Sequence, residues 1–456
     1  MIKHTHFIGI GGIGMSCIAQ LLLRRGEQVS GSDLKEGGII RQLKQLGATV
    51  YLGHDPAHIQ GAELVVYSSA IKEDNPEIRQ ARAQGIPVIK RAQALAQLME
   101  DKLVVTVTGS HGKTTTTSLA SCLLMEAGLM PTVAIGGILR NIDTNAYFGD
   151  GNFFVAEADE SDGSFLYYHP RYSIITNVDF EHLDYYKSFD NLLKSVRDFL
   201  ANTQQGGCVF CCGDDENLRK LMLEYGGNHI LFGLNENSHI YPCVIHLKGL
   251  ASEFDCVYKG QPVGKFYLPL GGRHNISNAL AVIALGLELG IGTDIIKKAL
   301  ANYKGAGRRI EIKYSDSRYT IIDDYAHHPT EIRATLAAVR NIAGVKRLIA
   351  VFQPHRFTRT KLLMDEFTKS FDAVDCLILT DIYPASEPPI EGISGRTLYE
   401  KIKERFPAKE IVFLPKEEIT GYLLKVLAPG DVVITLGAGD IVKSAEELVE
   451  GLTRKQ

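Results

Sequence analysis

The chain has 456 residues, of which 45% are hydrophobic and 22% are charged. That length exceeds what one hydrophobic core usually serves, so a globular protein of two or three domains is expected. A formal net charge of -4 excludes the basic excess with which proteins bind nucleic acids or anionic membranes. Anionic ligands must therefore be held locally, by helix N-termini or by individual cationic side chains.

The cysteines do not indicate a disulfide-bonded secreted protein. There are eight in the chain, and the only close group is Cys208, Cys211 and Cys212 within an apolar stretch. Without a second pair of ligands at matching spacing, buried strand cysteines are favoured over a zinc site. Reduced thiols are typical of a cytoplasmic protein, which is the location we expect.

The segment from Phe7 to Leu23 contains no charged residue and superficially resembles a signal sequence or a membrane span. It is short for a span, is interrupted by glycines and has no basic leader. We therefore predict a buried strand, a turn and a helix here, and no membrane insertion.

The N-terminal hundred residues alternate short apolar strands with amphipathic helices. Strands are predicted at 6–10, 28–31 and 64–67. Such alternation is typical of a parallel sheet covered by helices. The charged pair Asp101-Lys102 precedes a new apolar strand at 103–108, so a first domain is predicted over 1–99.

The alternation continues to the C-terminus. Further strands are predicted at 153–158 and 172–176, and a helix at 275–289. Short strands and turn residues between 206 and 270 indicate a small, partly antiparallel sub-sheet. After a Gly-rich stretch at 304–307, the last strands are predicted at 320–323, 348–352, 377–380, 411–414 and 432–436. The predicted fold class is α/β, with domains at 1–99, 100–310 and 311–456.

A predicted strand, a Gly-rich turn and a helix meet at Gly109-Ser110-His111-Gly112-Lys113-Thr114-Thr115. Backbone N–H groups of such a turn converge on phosphate oxygens, and the helix dipole favours the same anions. Lys113 is expected on the β- and γ-phosphates, with the Thr114 hydroxyl near Mg²⁺. Val107 stands where the usual pattern has its first glycine, but phosphate binding is still favoured over a structural turn.

Gly9-Ile10-Gly11-Gly12-Ile13-Gly14 matches the pattern G-x-G-x-x-G between a strand and a helix, and Asp33 follows the next strand. By itself the pattern suggests NAD, with Asp33 on a ribose hydroxyl. It reports only that a phosphate-bearing nucleotide meets a helix N-terminus. Glycines that merely let the strand and helix pack are the alternative.

Carboxylates cluster after two predicted strands, in 157–162 and 177–184. Strand ends of an open parallel sheet lie beside the phosphate loop. Glu157, which begins directly after a strand, suits Mg²⁺, and a histidine there would allow a second metal ion. Solvation of a loop is the alternative for most of these acids.

Basic and amide side chains form three further groups of candidates. A helix is predicted to begin within 273–278. Two roles for Asn275 remain open there, capping of this helix and binding of a base or ribose. Arg308-Arg309 either clamp a phosphate or form an exposed basic pair. The stretches 323–329 and 353–359 follow neighbouring predicted strands, and their histidines and arginines suit a carboxylate or phosphate.

Together these motifs resemble the Mur ligase family over essentially the whole chain and in the expected order. The loop 109–115 is similar to the family's G-T-x-G-K-T-[ST], with Ser110 in place of the commoner Thr. The stretches 6–15, 157–162, 274–278, 323–329 and 352–359 also match.

The resemblance implies three domains. The first is Rossmann-like, and the central one is of the P-loop ATPase type, with a mainly parallel sheet and a small antiparallel sub-sheet. The third is also Rossmann-like, and it would bind the amino acid and close on ATP. Several sister ligases bridge metals with a carbamylated lysine, but Lys194 is not in convincing register.

The implied activity is that of an ATP-dependent amide-bond ligase in bacterial cell-wall synthesis, with ATP and Mg²⁺ as cofactors. The stretches 323–329 and 352–359 favour the member that adds L-alanine to the lactyl carboxylate of UDP-N-acetylmuramate through an acyl phosphate. A monomer or weak homodimer without nucleic acid is expected. A recycling ligase adding a stem peptide, an NAD-dependent oxidoreductase and a nucleotide-gated regulatory protein are the alternatives.

The resemblance also implies a role for individual residues. Catalysis is assigned to Lys113, Glu157, His182, Arg309, Asp324 and His327, and the metal ions to Thr114, Glu157 and His182. ATP is assigned to Gly109, Ser110, His111, Gly112, Lys113, Thr114, Thr115, Asn275, Asn278, Arg309 and Asp324. The UDP moiety is assigned to Gly11, Gly12, Gly14, Asp33, Ser68 and Ser69. The muramoyl carboxylate and the amino acid are assigned to His327, His355, Arg356 and Arg359.

Overall fold

Three sheets, of five, ten and six strands, carry the architecture of the chain. The computed structural model describes residues 3–342 and 344–454, apart from the side chains of 183 and 184. The chain divides into a first unit (1–244, 255–266 and 276–304) and a second unit (245–254, 267–275 and 305–456). Within the described part of the chain, no helix is long and apolar enough to cross a lipid bilayer.

The five-stranded sheet belongs to the first unit, has the order β3-β2-β1-β4-β5 and is parallel throughout. Its strands are β1 (His4–Ile8), β2 (Gln28–Asp33), β3 (Thr49–Leu52), β4 (Leu64–Tyr67) and β5 (Val88–Lys90). Its helices are α1 (Ile13–Arg24), α2 (Gly38–Gln45), α3 (Pro76–Ala83) and α4 (Arg91–Met99). The uncharged N-terminal segment therefore forms β1, a turn and α1, as predicted.

The ten-stranded sheet has the order β15-β14-β13-β12-β11-β10-β6-β9-β7-β8. Its strands are β6 (Leu103–Thr108), β7 (Thr132–Leu139), β8 (Thr144–Tyr147), β9 (Phe153–Glu157), β10 (Tyr172–Ile175), β11 (Cys208–Cys212), β12 (His229–Phe232), β13 (Ile240–Lys248), β14 (Ala251–Tyr258) and β15 (Gln261–Leu268). The accompanying helices are α5 (Lys113–Glu126), α6 (Leu183–Tyr186), α7 (Phe189–Ala201), α8 (Glu216–Glu224), α9 (Arg273–Glu288) and α10 (Thr293–Ala301).

The predicted sub-sheet is present but narrower than 206–270. The strands β11 and β12 belong to the parallel part of the sheet. Only β13, β14 and β15 follow one another through two-residue connections, which join antiparallel strands. The cysteines of β11 are buried and reduced, in agreement with the prediction of structural thiols.

One hydrophobic core joins the two sheets of the first unit. Phe7 and Leu21 of the N-terminal sheet belong to the same buried cluster as Phe154 and Phe199 of the ten-stranded sheet. The polar side chains at this junction are also paired. The Gln20 amide donates to Asn145 Oδ1 at 3.0 Å, and the Asn145 amide donates to the backbone oxygen of Ile13 at 2.7 Å. The N-terminal sheet is thereby fixed to its neighbour.

The six-stranded sheet belongs to the second unit and has the order β16-β17-β21-β18-β19-β20. Its strands are β16 (Glu311–Ser315), β17 (Tyr319–Asp324), β18 (Arg347–Phe352), β19 (Cys376–Leu379), β20 (Glu410–Phe413) and β21 (Asp431–Leu436). Its helices are α11 (Pro329–Arg340), α12 (Phe357–Leu362), α13 (Met364–Thr368), α14 (Gly395–Arg405), α15 (Lys416–Val426) and α16 (Val442–Thr453). Only the edge strand β16 is antiparallel.

One prediction about this sheet is wrong. The stretches 323–329 and 353–359 were expected after neighbouring strands, but β21 lies between β17 and β18. The order of strands in a sheet depends on tertiary packing and not on order along the chain. Both stretches still emerge from the same edge, since β17, β21 and β18 are parallel.

Candidate functional site

The loop 109–115 connects β6 to α5, as predicted, and two of its glycines are required by its shape. Gly109 has a φ of 123° and Gly112 a φ of 84°, values that side chains rarely permit. A Cβ on Gly109 would lie 2.4 Å from Thr176 Oγ1, and a Cβ on Gly112 would lie 2.7 Å from Asn278 Oδ1. The loop therefore packs closely on the segment after β10 and on α9.

Residues after β10 hold the loop in place. Thr176 Oγ1 donates to the backbone oxygen of His111 at 2.6 Å. Asn177 Oδ1 accepts from the backbone N–H of His111 at 2.8 Å, and its amide donates to the His111 oxygen at 3.0 Å. Ser110 Oγ accepts from the N–H of Asp179 at 2.8 Å. The resemblance assigned no role to Thr176 or Asn177, although their place directly after a strand is a usable signal.

Lys113 lies in the first turn of α5 with its ammonium group turned back over the loop. It donates to the backbone oxygens of Gly109 at 2.6 Å and Ser110 at 3.3 Å, and to Glu160 Oε1 at 2.9 Å. Burial alone would lower the pKa of Lys113, but the surrounding carboxylates, Glu160 first, outweigh it and raise that pKa. The side chain is therefore a fixed cation beside the phosphate loop.

Glu160 was not assigned a role from the sequence, although it lies within the acidic stretch 157–162. It is 3% exposed, and its Oε1 lies 3.4 Å from His182 Nε2 as well as close to Lys113. Burial alone would raise the pKa of Glu160, but Lys113 and His182 lower it to about 2. The carboxylate is thus ionised and connects two residues that the resemblance did assign.

Glu157 ends β9 and faces Thr114. Its Oε2 accepts from Thr114 Oγ1 at 2.9 Å and from the N–H of Gly136 at 3.1 Å. Burial raises the pKa of Glu157, more than Lys113 lowers it. A buried carboxylate of this kind gains from a cation, and the Glu157 carboxylate and Thr114 hydroxyl are oxygen donors of the kind that Mg²⁺ prefers. The assignment of His182 to a metal ion stays a prediction.

Four of the six predicted UDP-binding residues line one cavity within the first unit, and Gly11 and Asp33 are not among its lining residues. This cavity, of about 310 Å³, is lined by residues that include Gly12, Gly14, Ser68, Ser69 and Glu157. A second cavity of about 760 Å³ also contains Ser69 and adds Lys72 and Lys90. The two cavities share Ser69 and Arg91, and Arg91 is the cationic side chain that lies beside the N-terminus of α1.

Asp33 contacts the Gly-rich turn itself. Its Oδ2 accepts from the N–H of Gly11 at 2.9 Å, and its Oδ1 accepts from the N–H of Lys35 at 3.4 Å. The carboxylate therefore fixes the turn between β1 and α1. Its assignment to the UDP moiety stays a prediction.

In the second unit the histidines and arginines after β17 and β18 come together. The ring centroids of His327 and His355 are 5.8 Å apart, and Arg359 Nη1 lies 3.2 Å from His355 Nδ1. Burial, with Arg359 and Arg356 as further causes, lowers the pKa of His355 to about 3. The pKa of His327 is also well below its usual value, again through burial first and Arg359 second. Neutral imidazoles beside guanidinium groups suit a carboxylate ligand.

Asp324 holds the segment that leads into the second unit. Its Oδ2 accepts from the N–H of Ile310 at 2.6 Å and its Oδ1 from the N–H of Ala326 at 2.8 Å. Burial raises the pKa of Asp324 to about 6, although Arg309 acts in the opposite direction. The Arg309 guanidinium lies 5.3 Å from the centre of the Tyr325 ring.

The structure adds detail on three other residues, and for Asn275 it excludes one of the two predicted roles. Asn275 is not the N-cap of α9, because the helix begins at Arg273; its amide donates to the oxygen of Gly271 at 2.8 Å. Arg356 has a φ of 71° and lies 3.8 Å from Glu387, an acid that the sequence analysis missed. Lys194 is exposed on α7.

Three family models describe the class of protein that has this fold and these loops. The Mur ligase family catalytic domain matches residues 4–103, the Mur ligase middle domain matches 107–286, and the Mur ligase glutamate ligase domain matches 308–439. The chain belongs to the Mur ligase family. The predicted domain limits of 1–99, 100–310 and 311–456 stay predictions.

Individual relatives are more specific. The UDP-N-acetylmuramate–L-alanine ligase of Persephonella marina is 44% identical over 456 residues, covering 100% of this chain and 98% of the relative. The enzyme of the same name from Desulfotalea psychrophila is 46% identical, covering 98% of each chain. The crystal structure of UDP-N-acetylmuramate-alanine ligase from Thermotoga maritima aligns with a TM-score of 0.85 at 29% identity, covering 100% of both chains. A murein peptide ligase from Psychrobacter arcticus has a TM-score of 0.72 at 23% identity, covering 99% of this chain and 98% of that one, and shares the fold.

Proposed function

We propose that this chain joins L-alanine to the lactyl carboxylate of UDP-N-acetylmuramate and converts ATP to ADP and phosphate. The observation that carries the proposal is the position of Glu157. Its carboxylate bonds Thr114 of the phosphate loop and also lines the cavity formed by Gly12 and Ser68. A nucleotide phosphate on the loop and a sugar nucleotide in the cavity would therefore meet at one carboxylate.

The reaction needs no covalent attachment to the protein. The lactyl carboxylate attacks the γ-phosphorus of ATP, ADP leaves, and the amine of L-alanine then displaces phosphate from the acyl phosphate. Lys113 and Arg309 would neutralise charge on the transferring group, which is the main catalytic task in phosphoryl transfer. Thr114, Glu157 and His182 would hold Mg²⁺, which supplies further positive charge when bound.

The amino acid would be held in the second unit. Arg356 and Arg359 supply charge-assisted hydrogen bonds for its carboxylate. Since the pKa of His327 is well below its usual value, its imidazole is neutral and able to accept a hydrogen bond from the incoming amine. Closure of 311–456 on ATP, a cytoplasmic location and a monomer or weak homodimer belong to the same proposal.

The test is phosphate release from Mg-ATP, with each second substrate supplied separately. Release that requires both UDP-N-acetylmuramate and L-alanine is the expected result. Release with the stem tripeptide in place of L-alanine would assign the chain to peptide recycling instead. Nucleotide binding without release under any combination would contradict the ligase proposal and favour a regulatory role.

A matched pair of variants shows whether the release comes from this site. Lys113→Met removes the cation of the loop, whereas Lys44→Met removes a lysine whose salt bridge with Glu36 is on the surface. Release should disappear in the first variant and persist in the second. Equal release in both would mean that the release does not depend on the cation of this loop.

A further inference from the structure

Glu160 contacts Lys113 of the loop 109–115, but neither the proposed reaction nor the resemblance gives it a task. Its carboxylate is 3% exposed, and burying such a charge is costly unless every part of it is compensated. Its Oε1 is compensated by Lys113 at 2.9 Å and lies 3.4 Å from His182 Nε2. Its Oε2 is buried and has no hydrogen-bond partner among residues 3–342 and 344–454.

Lys113 differs from Glu160, because all of its N–H donors have acceptors. An ammonium group has three N–H donors. Those of Lys113 are directed at the oxygens of Gly109 and Ser110 and at Glu160 Oε1. A phosphate oxygen can bond this ammonium only by displacing one of these acceptors, and Glu160 is the only anion among them.

Displacing Lys113 would leave both oxygens of Glu160 without a strong donor. A buried carboxylate in that position requires another cation, because its charge cannot be solvated there. His182 Nε2 lies 3.4 Å from Oε1 and ligates a cation through its lone pair in the tautomer that carries its proton on Nδ1, so the two side chains present an oxygen and a nitrogen to the same space. Carboxylate oxygens are preferred ligands of divalent cations, and imidazole is an accepted one.

We propose that Glu160 exchanges Lys113 for a divalent cation when nucleotide binds. In this exchange the ammonium moves from the carboxylate to a phosphate oxygen, and the released carboxylate takes the cation together with His182. Glu160 is thus a positioning residue for Lys113 and a ligand for the metal. The inference rests on the proposed binding of a nucleotide to the loop 109–115, but not on the identity of the amino acid or the sugar.

Two opposite effects of Glu160→Gln follow from the exchange. Without its charged competitor, Lys113 becomes more available to phosphate, so ADP binding in EDTA should tighten about tenfold, the value of one charge-assisted hydrogen bond. Mn²⁺ binding in the presence of ADP should weaken about tenfold or more, because a carboxylate ligand is lost. Calorimetry measures the first quantity, and loss of the free Mn²⁺ signal in electron paramagnetic resonance measures the second.

Asp159→Asn is the matched control for charge. Asp159 is the next residue and raises the pKa of Lys113 through its charge, but no hydrogen bond joins the two side chains among the described residues. If the carboxylates acted on Lys113 only through their negative charge, Asp159→Asn and Glu160→Gln would change the ADP affinity by similar factors. The two variants would also change the Mn²⁺ affinity by similar factors. The exchange predicts changes within about twofold for Asp159→Asn, and equal changes in the two variants would overturn it.

A double-mutant cycle distinguishes the exchange from an effect of misfolding. Lys113→Met leaves Glu160 without its partner, but Lys113→Met combined with Glu160→Gln removes both charges and leaves no unpaired ion buried. Glu160→Gln should tighten ADP binding in the wild-type background and have no effect in the Lys113→Met background. Equal tightening in both backgrounds would contradict the exchange.

The outcomes separate this inference from the proposed function. If the wild-type protein binds neither ADP nor ATP, the proposed function fails. If it binds both and Glu160→Gln leaves ADP and Mn²⁺ affinities unchanged, only the exchange fails. Both binding measurements are made without turnover, so they do not depend on which amino acid is joined.

Discussion

Glu77 and Glu160 are both buried carboxylates among basic side chains, and they differ in how their oxygens are used. Glu77 is 0% exposed and lies on α3 of the N-terminal sheet. Its Oε2 accepts from Ser32 Oγ at 2.7 Å and lies 2.9 Å from His54 Nδ1, while its Oε1 lies 2.9 Å from His58 Nδ1. Every oxygen of Glu77 is therefore partnered, whereas Oε2 of Glu160 has no partner in the described part of the chain.

The carboxylates of Glu77 and Glu160 do not differ in their ionisation state. Burial alone would raise both pKa values, but hydrogen bonds from His6, Ser32 and His54 lower that of Glu77 to about 2. Lys113 and His182 do the same for Glu160, whose pKa is also about 2. A low pKa therefore shows only that the negative charge of a buried carboxylate is stabilised by its neighbours. A carboxylate oxygen without a hydrogen-bond partner is the feature that indicates room for a ligand. Glu77 is accordingly structural, and Glu160 belongs to the binding site.

The largest effect is expected from Lys113→Met. Loss of the loop cation should reduce phosphate release by about a thousandfold or more, because Lys113 stabilises charge that develops during phosphoryl transfer. Initial rates at saturating substrates measure the loss, with circular dichroism to verify folding. Activity within tenfold of wild type would mean that Lys113 serves the loop structurally, as Glu77 serves its sheet.

Glu77→Gln should affect stability and leave the chemistry unchanged. An amide retains the shape but not the charge that the histidines face, so the free energy of unfolding should fall by about 3 kcal/mol at pH 7.5. Urea denaturation measures this fall. The rate of phosphate release by the folded variant at saturating substrates should stay within about twofold of wild type, and a much larger loss would make Glu77 part of the site.

Asn177→Ala tests whether the loop is held in shape by its neighbours. The substitution removes two hydrogen bonds to the backbone of His111, so ADP binding should weaken about tenfold. Calorimetric titration with ADP provides the measurement. Asn202→Ala is the control, because its amide donates to the oxygen of Leu166 away from the loop. Equal weakening in both variants would indicate a general loss of structure.

The most gradual effect is a pH dependence that belongs to Glu77. Its pKa is about 2 in the folded protein and 4.5 in its ordinary state, so its contribution to stability is complete above pH 4.5. As the pH falls below 4.5 towards 2, that contribution is lost by about 1.4 kcal/mol per pH unit. The difference in unfolding free energy between wild type and Glu77→Gln should stay constant from pH 5 to 8 and shrink below pH 4.5. Urea titrations at each pH measure it, and a difference that already changes between pH 6 and 7 would assign it to the histidines.

The strands and loops that carry strong local signals were predictable from the sequence. Both β4 and β6 have their predicted bounds, and α5 begins at Lys113 as expected. The hairpin β7–β8 was missed, because its glycines weaken the strand pattern. The position of β21 between β17 and β18 was also missed, since no local signal reports strand order.

The polar clusters depend on residues that are distant in sequence. His6, Ser32, His54, His58 and Glu77 come from five different segments, so only the fold brings them together. Glu160 lies within a stretch that the sequence analysis selected. The sequence does not reveal the importance of Glu160, because that importance depends on a contact with Lys113, which is 47 positions away.

The core shared by the two sheets of the first unit limits how the chain can be divided. A fragment that stops at residue 99 would divide the buried cluster to which Phe7, Leu21, Phe154 and Phe199 belong. It would also lose Asn145, which bonds both Gln20 and the backbone of Ile13. Residue 99 is thus a boundary along the sequence, but the hydrophobic core continues across that boundary. A fragment designed to retain the predicted UDP-binding residues together with this shared core must extend well into the ten-stranded sheet.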